Sequence, residues 1–278
     1  MGTIIVGCLG KDGIALAADS QAGSFRGVEV KRSDYMKIHL LGEEGSAVKA
    51  VIAGAGAVAF INKAVGLLRE EWAHKRFTSV SELESAAEGA MMKLAKKYFF
   101  DRQRVLGGHI LGGQDDSRPP RIPKRLPKHL QEEGGPIQVP DAHLLMGAID
   151  SKGGKLLATI GPDGVAETED TYTCVGSGSA YAEYVLAKLY AASLSAEQLL
   201  QCAIYTVEEV KKVDPACGGP VRAVTLTTAG IKQYSIDDLR ELVAKLGIRD
   251  DTLGRIWRSI ILGRRSPSDI EKFLGAET

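Results

Sequence analysis

Gly2-Thr3-Ile4-Ile5-Val6-Gly7 and, beyond a turn at Lys11-Asp12-Gly13, Ile14-Ala15-Leu16-Ala17-Ala18-Asp19-Ser20 decide the reading of this chain. Residues 3–9 and 13–18 are apolar, β-branched runs around a Lys-Asp-Gly turn, which is the signature of a hairpin. A cut after Gly2 would make Thr3 an N-terminal threonine. Such a residue carries a hydroxyl nucleophile beside its own base, because a free α-amine has a pKa of roughly 7.7–8.0 and can take the hydroxyl proton near neutral pH. Taken alone, a threonine at the head of a strand is ordinarily a β-former with its methyl packed. The weight of the catalytic reading therefore comes from the rest of the sequence.

The chain has 278 residues, 44% of them hydrophobic, enough for a full core in one large domain or in one domain with additions. Its 35 basic and 35 acidic residues cancel, which removes the electrostatic footprint expected for nucleic acid or an anionic membrane surface. There is no apolar run long enough for a membrane span and no secretory leader pattern, so the expectation is a cytoplasmic protein. Cys8, Cys174, Cys202 and Cys217 lack the spacing of a zinc site and read as free thiols, the first three buried.

After the first hairpin and a variable loop through Arg26 and Arg32, residues 37–41 and 48–54 read as a second strand pair. Two helices follow, over 58–75 and 79–102, the latter opened by a Ser79…Glu82 capping box. Strands are expected over 143–149 and 155–160, helices over 180–192 and 195–212 with a Ser195…Gln198 box, and a strand over 221–228. Strands in hairpin runs, rather than alternating with helices, predict mainly antiparallel sheets covered by helices on their outer faces, an α+β fold. Residues 103–141 hold six of the ten prolines with Arg118, Arg121, Lys124, Arg125 and Lys128, and a loop of that length is usually functional or disordered. From Ile236 the sequence reads as helical segments, stopped at Gly247 and restarting after Ser266-Pro267. The domain expectation is thus residues 1–235 with an insertion at about 103–141, and a helical extension over 236–278.

The opening, with Lys37-Ile38, Ile52-Ala53-Gly54, Val175-Gly176-Ser177-Gly178-Ser179-Ala180-Tyr181-Ala182 and Asp214-Pro215-Ala216-Cys217-Gly218-Gly219 in that order, resembles a 20S proteasome β-type subunit of the N-terminal nucleophile (Ntn) hydrolase family. The resemblance implies an αββα four-layer sandwich and a threonine endopeptidase that frees its own Thr3 by cutting at Gly2, where glycine permits the backbone turn that brings the carbonyl to the hydroxyl. It gives Lys37 the role of lowering the pKa of hydroxyl and amine, Asp19 that of orienting Lys37, and Gly54 N–H that of stabilising the oxyanion. Ser177 and Asp214 become the proton-passing pair at the amine. The family usually has serine where Cys217 stands, so the thiol, a weaker hydrogen-bonding group, loosens that network and opens it to oxidation. Gln21 departs from a common arginine. Ala22, Ile52 and Gly56, narrowed by Tyr35, fall where the family lines its S1 pocket, implying an uncharged pocket for an apolar P1 side chain. The expected substrate is a peptide or unfolded protein, and no metal or other cofactor is implied. The expected partners are further copies in stacked rings, with an α-type ring or an ATPase as candidates.

Gly54-Ala55-Gly56-Ala57-Val58-Ala59 also fits a dinucleotide fingerprint. That motif wants a second strand ending in an acid about 20 residues on, and residues 70–76 read as helix instead. Gly176-Ser177-Gly178-Ser179 before a helix could cradle a phosphate, yet no Walker lysine follows. Two alternatives within the fold stay open: an inert, unprocessed β-type ring subunit, and an Ntn amidase acting on small amides, since fold does not settle substrate.

Overall fold

The computed structural model describes residues 2–25, 29–32, 34–42, 45–111, 139–262, 266 and 268. The chain divides into two compact units between Gln233 and Tyr234. In the first, one five-stranded sheet has the order β10-β1-β2-β11-β12, built from β1 (Ile5–Leu9), β2 (Gly13–Ala18), β10 (Tyr172–Val175), β11 (Arg222–Thr227) and β12 (Ile231–Gln233). The other has the order β5-β6-β7-β8-β9, from β5 (Ile38–Leu41), β6 (Val48–Gly56), β7 (Ala142–Asp150), β8 (Lys155–Ile160) and β9 (Ala166–Thr168). Every pairing is antiparallel.

Strand alternation sorts the apolar residues into two cores. Ile5, Ile14, Leu16, Val51, Ala53, Leu145 and Val224 pack together as the filling between the sheets. Val48, Ala50, Ile52, Leu144 and Met146 face the other way, onto Phe60, Ala64 and Leu68 of α1 (Val58–His74) and Leu83, Ala87 and Met91 of α2 (Val80–Leu111). The first sheet is covered by α3 (Ser179–Leu189) and α4 (Ala196–Val213), the latter burying Leu199, Leu200, Ile204, Val207 and Val210 along one stripe. Each such large side chain contributes about 1.5–3 kcal/mol, as an upper estimate. Helix, sheet, sheet, helix is the αββα sandwich.

The boundaries refine the sequence reading. A short hairpin, β3 (Ala22–Phe25) with β4 (Glu29–Arg32), occupies the expected variable loop, and β12 extends the first sheet beyond the expected strands. The Ser195…Gln198 capping box forms in full. At α2 only half of the expected box forms: Glu82 N–H donates to Ser79 Oγ, while the Glu82 carboxylate accepts from Thr78 N–H at 2.9 Å. Helix α2 continues through Leu111, nine residues past the expected end at Arg102, and so takes in the first part of the proline-rich segment; residues 112–138 of that segment lie outside the described residues. In the second unit, α5 (Ile236–Ile261) starts from a Ser235–Asp238 capping box and runs through Gly247 without a break. The expected stop is overturned because a glycine inside a helix weakens it by only about 1 kcal/mol relative to alanine and Gly247 has no positive φ. Of the expected restart after Ser266-Pro267, only residue 268 is among the described residues.

Candidate active site

Register brings the candidate residues to one end of the sandwich. Ile5 is opposite both Ala18 and Val175, and Ala18 is opposite Arg222. The chain just before β1, just after β2, just after β10 and just before β11 therefore converges there. These four stretches carry Thr3, Asp19, Ser177 and the 214–219 turn.

Thr3 is 6% exposed and lies between two groups of polar side chains. On one side Lys37 Nζ donates to Thr3 Oγ1 at 3.0 Å and to Asp19 Oδ1 at 2.6 Å. Lys37 is 3% exposed and Asp19 fully enclosed. Such a pair holds only if the carboxylate is satisfied elsewhere, and Asp19 also accepts from Ile4 N–H at 3.0 Å and Gly218 N–H at 3.1 Å. Burial holds Lys37 below the usual lysine pKa, against the upward pull of Asp19.

On the other side Thr3 N–H donates to Ser177 Oγ at 3.2 Å, and Ser177 donates to Asp214 Oδ2 at 2.8 Å. Cys217 Sγ lies 3.3 Å from the same carboxylate oxygen and 4.0 Å from Ser177 Oγ. Partial burial acts to raise the Asp214 pKa, but hydrogen bonds from Ser177, Ala216 N–H and Cys217 win and hold it below the usual carboxylate value. Burial, with the Asp19 and Asp214 carboxylates, pushes the Cys217 thiol up to about 12. The thiol is thus protonated near neutrality. Because the thiolate is the readily oxidised form, the raised pKa works against the expected sensitivity to oxidation.

Gly2 is seated against the same turn. A Cβ there would run into Ala216 Cβ and the Ala216 carbonyl. Close approach is enough to exclude a side chain here. Thr3 Oγ1 lies 2.8 Å from the Gly2 carbonyl oxygen, to which it donates. Gly176, at φ +113°, passes so near that a Cβ would strike the Thr3 carbonyl. Gln21, where the sequence departs from a common arginine, ties this corner by donating its side-chain N–H to Ala216 O at 3.0 Å.

A cleft opens beside Thr3 and Lys37, with Gly54, Gly56, Ala22 and Tyr35 in its wall. Ile52 is not part of that wall. It shares a β6 face with Gly54 and Gly56 but lies deeper, fully enclosed under α1 and α2. The sequence reading missed His39, Val58 and Ile61, which do line the cleft. His39 follows Lys37 by two residues, and that spacing on an extended segment was the available signal. Of the three cysteines expected to be buried, Cys8 and Cys174 are, while Cys202 is half-buried; all are free.

A "Proteasome subunit" family model matches residues 124–226. Proteasome subunit beta 2 of Pyrococcus furiosus is 26% identical over 245 residues, covering 87% of this chain and 95% of that protein. Proteasome subunit beta 1 of Thermococcus kodakarensis is 27% identical over 244 residues, covering 87% and 97%. The chain is thus similar to proteasome beta subunits over most of its length. Among solved structures, Anbu (ancestral beta-subunit) from Yersinia bercovieri superposes with a TM-score of 0.66 at 15% identity over 92% of this chain and 97% of its own. The helical assembly of the Anbu complex from Pseudomonas aeruginosa gives 0.65 at 14% identity, covering 95% and 98%. These structures share the proteasome-like Ntn fold with this chain. Among the described residues, no helix is long and apolar enough to cross a membrane.

Proposed function

We propose that this protein is a member of the proteasome beta-subunit family and a threonine endopeptidase that processes itself between Gly2 and Thr3. The observation that carries the reading is the threonine hydroxyl held between Lys37 Nζ and the Gly2 carbonyl, with the Thr3 nitrogen on Ser177. In processing, Oγ1 attacks the Gly2 carbonyl carbon and the Gly2–Thr3 amide bond breaks, leaving Gly2 as an ester on Oγ1 and the Thr3 nitrogen as an amine. Water hydrolyses the ester and releases the leader with a free carboxylate.

The amine then serves as base for the hydroxyl. Lys37, fixed by Asp19, favours the alkoxide-like form of Oγ1 electrostatically. As Oγ1 attacks a substrate carbonyl, the amine takes its proton and Gly54 N–H receives the developing oxyanion. That proton passes to the departing substrate amine, and water entering through the same base hydrolyses the acyl ester. Ser177 accepts from the Thr3 N–H and donates to Asp214, and the pair holds the nitrogen in place. The cleft beside Thr3 takes the P1 side chain.

The proposal extends to the setting: a cytoplasmic protein that self-associates in stacked rings admitting peptide or unfolded chains, with an α-type ring or an ATPase as further partners. Residues 236–278 are read as an appendage to the hydrolase domain of residues 1–235, and 103–141 as an insertion in it. Intact mass and N-terminal sequencing of wild type beside Thr3→Ala test the chemistry. Wild type beginning at Thr3 while the variant retains Gly2 is the expected result. Retention of Gly2 by both would favour an inert ring subunit.

A further inference from the structure

Ala216 is where Gly2, the 214–219 turn and the chain after β2 come together. A Cβ on Gly2 would strike Ala216 Cβ and its carbonyl carbon and oxygen, so Ala216 is the wall behind the peptide bond that processing must break. Backbone groups hold the two ends of the turn. Asp214 N–H donates to Val210 O at 2.8 Å at the end of α4, and Gly218 O accepts from Ser20 N–H at 3.1 Å and Gln21 N–H at 2.9 Å. Ala216 lies between these anchors. Its N–H donates to Asp214 Oδ1 at 2.9 Å within the turn, and its carbonyl oxygen accepts from the Gln21 side chain at 3.0 Å. Among the described residues, Gln21 is the one side chain outside the turn that bonds to Ala216. It lies flat on the turn: a Cβ on Gly218 would come within 2.4 Å of Gln21 Oε1.

We propose that Gln21 is a positioning residue for self-processing, which holds Ala216 as the wall that keeps the Gly2 carbonyl beside the Thr3 hydroxyl. Thr3 Oγ1 lies 2.8 Å from the Gly2 carbonyl oxygen, and an attack that starts from such a contact loses rate steeply when the carbonyl is displaced. Gln21 makes no hydrogen bond to Gly2 or Thr3 and acts through Ala216. Lys37 and Ser177 differ from it in bonding to Thr3 itself, so their hold is needed before and after the cut. The wall matters most while Gly2 is present. Loss of the Gln21 donor therefore falls harder on processing than on later peptide cleavage.

This inference rests on the self-processing reading, so its test includes a readout that needs no processing. Intact mass over a time course follows release of Gly2 from the full chain. Gln21→Met, close to glutamine in shape but without a donor, should slow that release at least about fivefold, within the factor that one hydrogen bond sets. Peptide cleavage per processed molecule should fall by a clearly smaller factor. Gln21→Arg, which keeps N–H donors on a long side chain, should restore most of the processing rate. In a Thr3→Ala background, where Gly2 stays in place, hydrogen exchange read by mass spectrometry should show the amides of residues 214–219 exchanging several-fold faster once Gln21→Met is added. Processing at the wild-type rate in Gln21→Met, cleavage that falls as far as processing, or a Gln21→Arg variant as slow as Gln21→Met overturns the inference. A wild type that retains Gly2 sinks the self-processing reading instead, and exchange over residues 214–219 then decides the hold on Ala216 by itself: faster exchange in Gln21→Met upholds it and unchanged exchange overturns it.

Discussion

The two sides of Thr3 are built on different physical terms. Lys37 and Asp19 form an ion pair shut away from solvent, with the carboxylate anchored by backbone N–H groups from the residue before β1 and from the 214–219 turn. Ser177, Asp214 and Cys217 form a chain of hydrogen bonds in which Ser177 is exposed and Asp214 half-buried. An enclosed pair is locked because losing either charge leaves the other uncompensated. A solvated chain can lose a member and let water replace it. The first side therefore joins stability to chemistry, and the second is tuned by the quality of its hydrogen bonds.

The sharpest way to break this contrast is Lys37→Met. It leaves Asp19 buried without its cation, a change of the kind that destabilises by about 3–5 kcal/mol, and it removes the charge beside Oγ1. Processing and peptide cleavage should both be lost, with a large fall in the thermal midpoint; a variant of unchanged stability would refute the view that the pair is locked. Ser177→Ala should unfold near the wild-type temperature while slowing cleavage by about 10²-fold, within the range of a positioned proton-transfer group. Gly2→Ala comes next. Its methyl meets Ala216, so the leader must shift, and mass spectrometry over a time course should show processing slowed by about tenfold or more, the scale of displacement from a near-attack geometry. Cleavage by molecules already processed should be unchanged, since they no longer contain residue 2.

The pH dependence separates the sides further. The Asp214 pKa is lowered in the fold, so its contribution to stability is present above the usual carboxylate value and lost as pH falls through the folded value. Asp214→Asn should flatten the acid limb of the stability curve below about pH 4 and leave the neutral region nearly as it was. Lys37 works in the opposite sense. Its folded pKa lies below the usual lysine value, so at neutral pH the fold bears the strain of keeping it charged, and that strain eases as pH rises through the folded value.

Much of this was legible from sequence because it depends on local pattern. The hairpin at Lys11-Asp12-Gly13, the alternation in Val48–Gly56 and the Ser195 cap all follow from nearby residues. The expected end of α2 at Arg102 and stop of α5 at Gly247 did not hold, since residues 103–106 contain no breaker and a single glycine inside a helix costs only about 1 kcal/mol. Assigning Ile52 to the cleft failed for a different reason. Period two places it on the face of Gly54 and Gly56, but only the positions of α1 and α2 reveal which residues of that face are covered. His39 went unseen because an enclosed, unpaired nitrogen is a property of the assembled wall.

The smallest effect belongs to Cys217→Ser, and it tests the solvated side most finely. The thiol contacts Asp214 Oδ2 at 3.3 Å, a long reach for the weak S–H donor, and burial keeps it protonated. A hydroxyl is a stronger donor to the carboxylate and a better partner for Ser177, and the smaller oxygen fits without displacing Val210 or Ile4, which pack around Gly178 close to Cys217 Sγ. Cleavage should rise about two- to fivefold with the thermal midpoint nearly unchanged, since one improved hydrogen bond is worth about 0.5–1.5 kcal/mol. The same substitution made beside Lys37→Met should restore nothing. Partial recovery in that double variant would mean that the two sides communicate through Thr3 and are not independent supports of it.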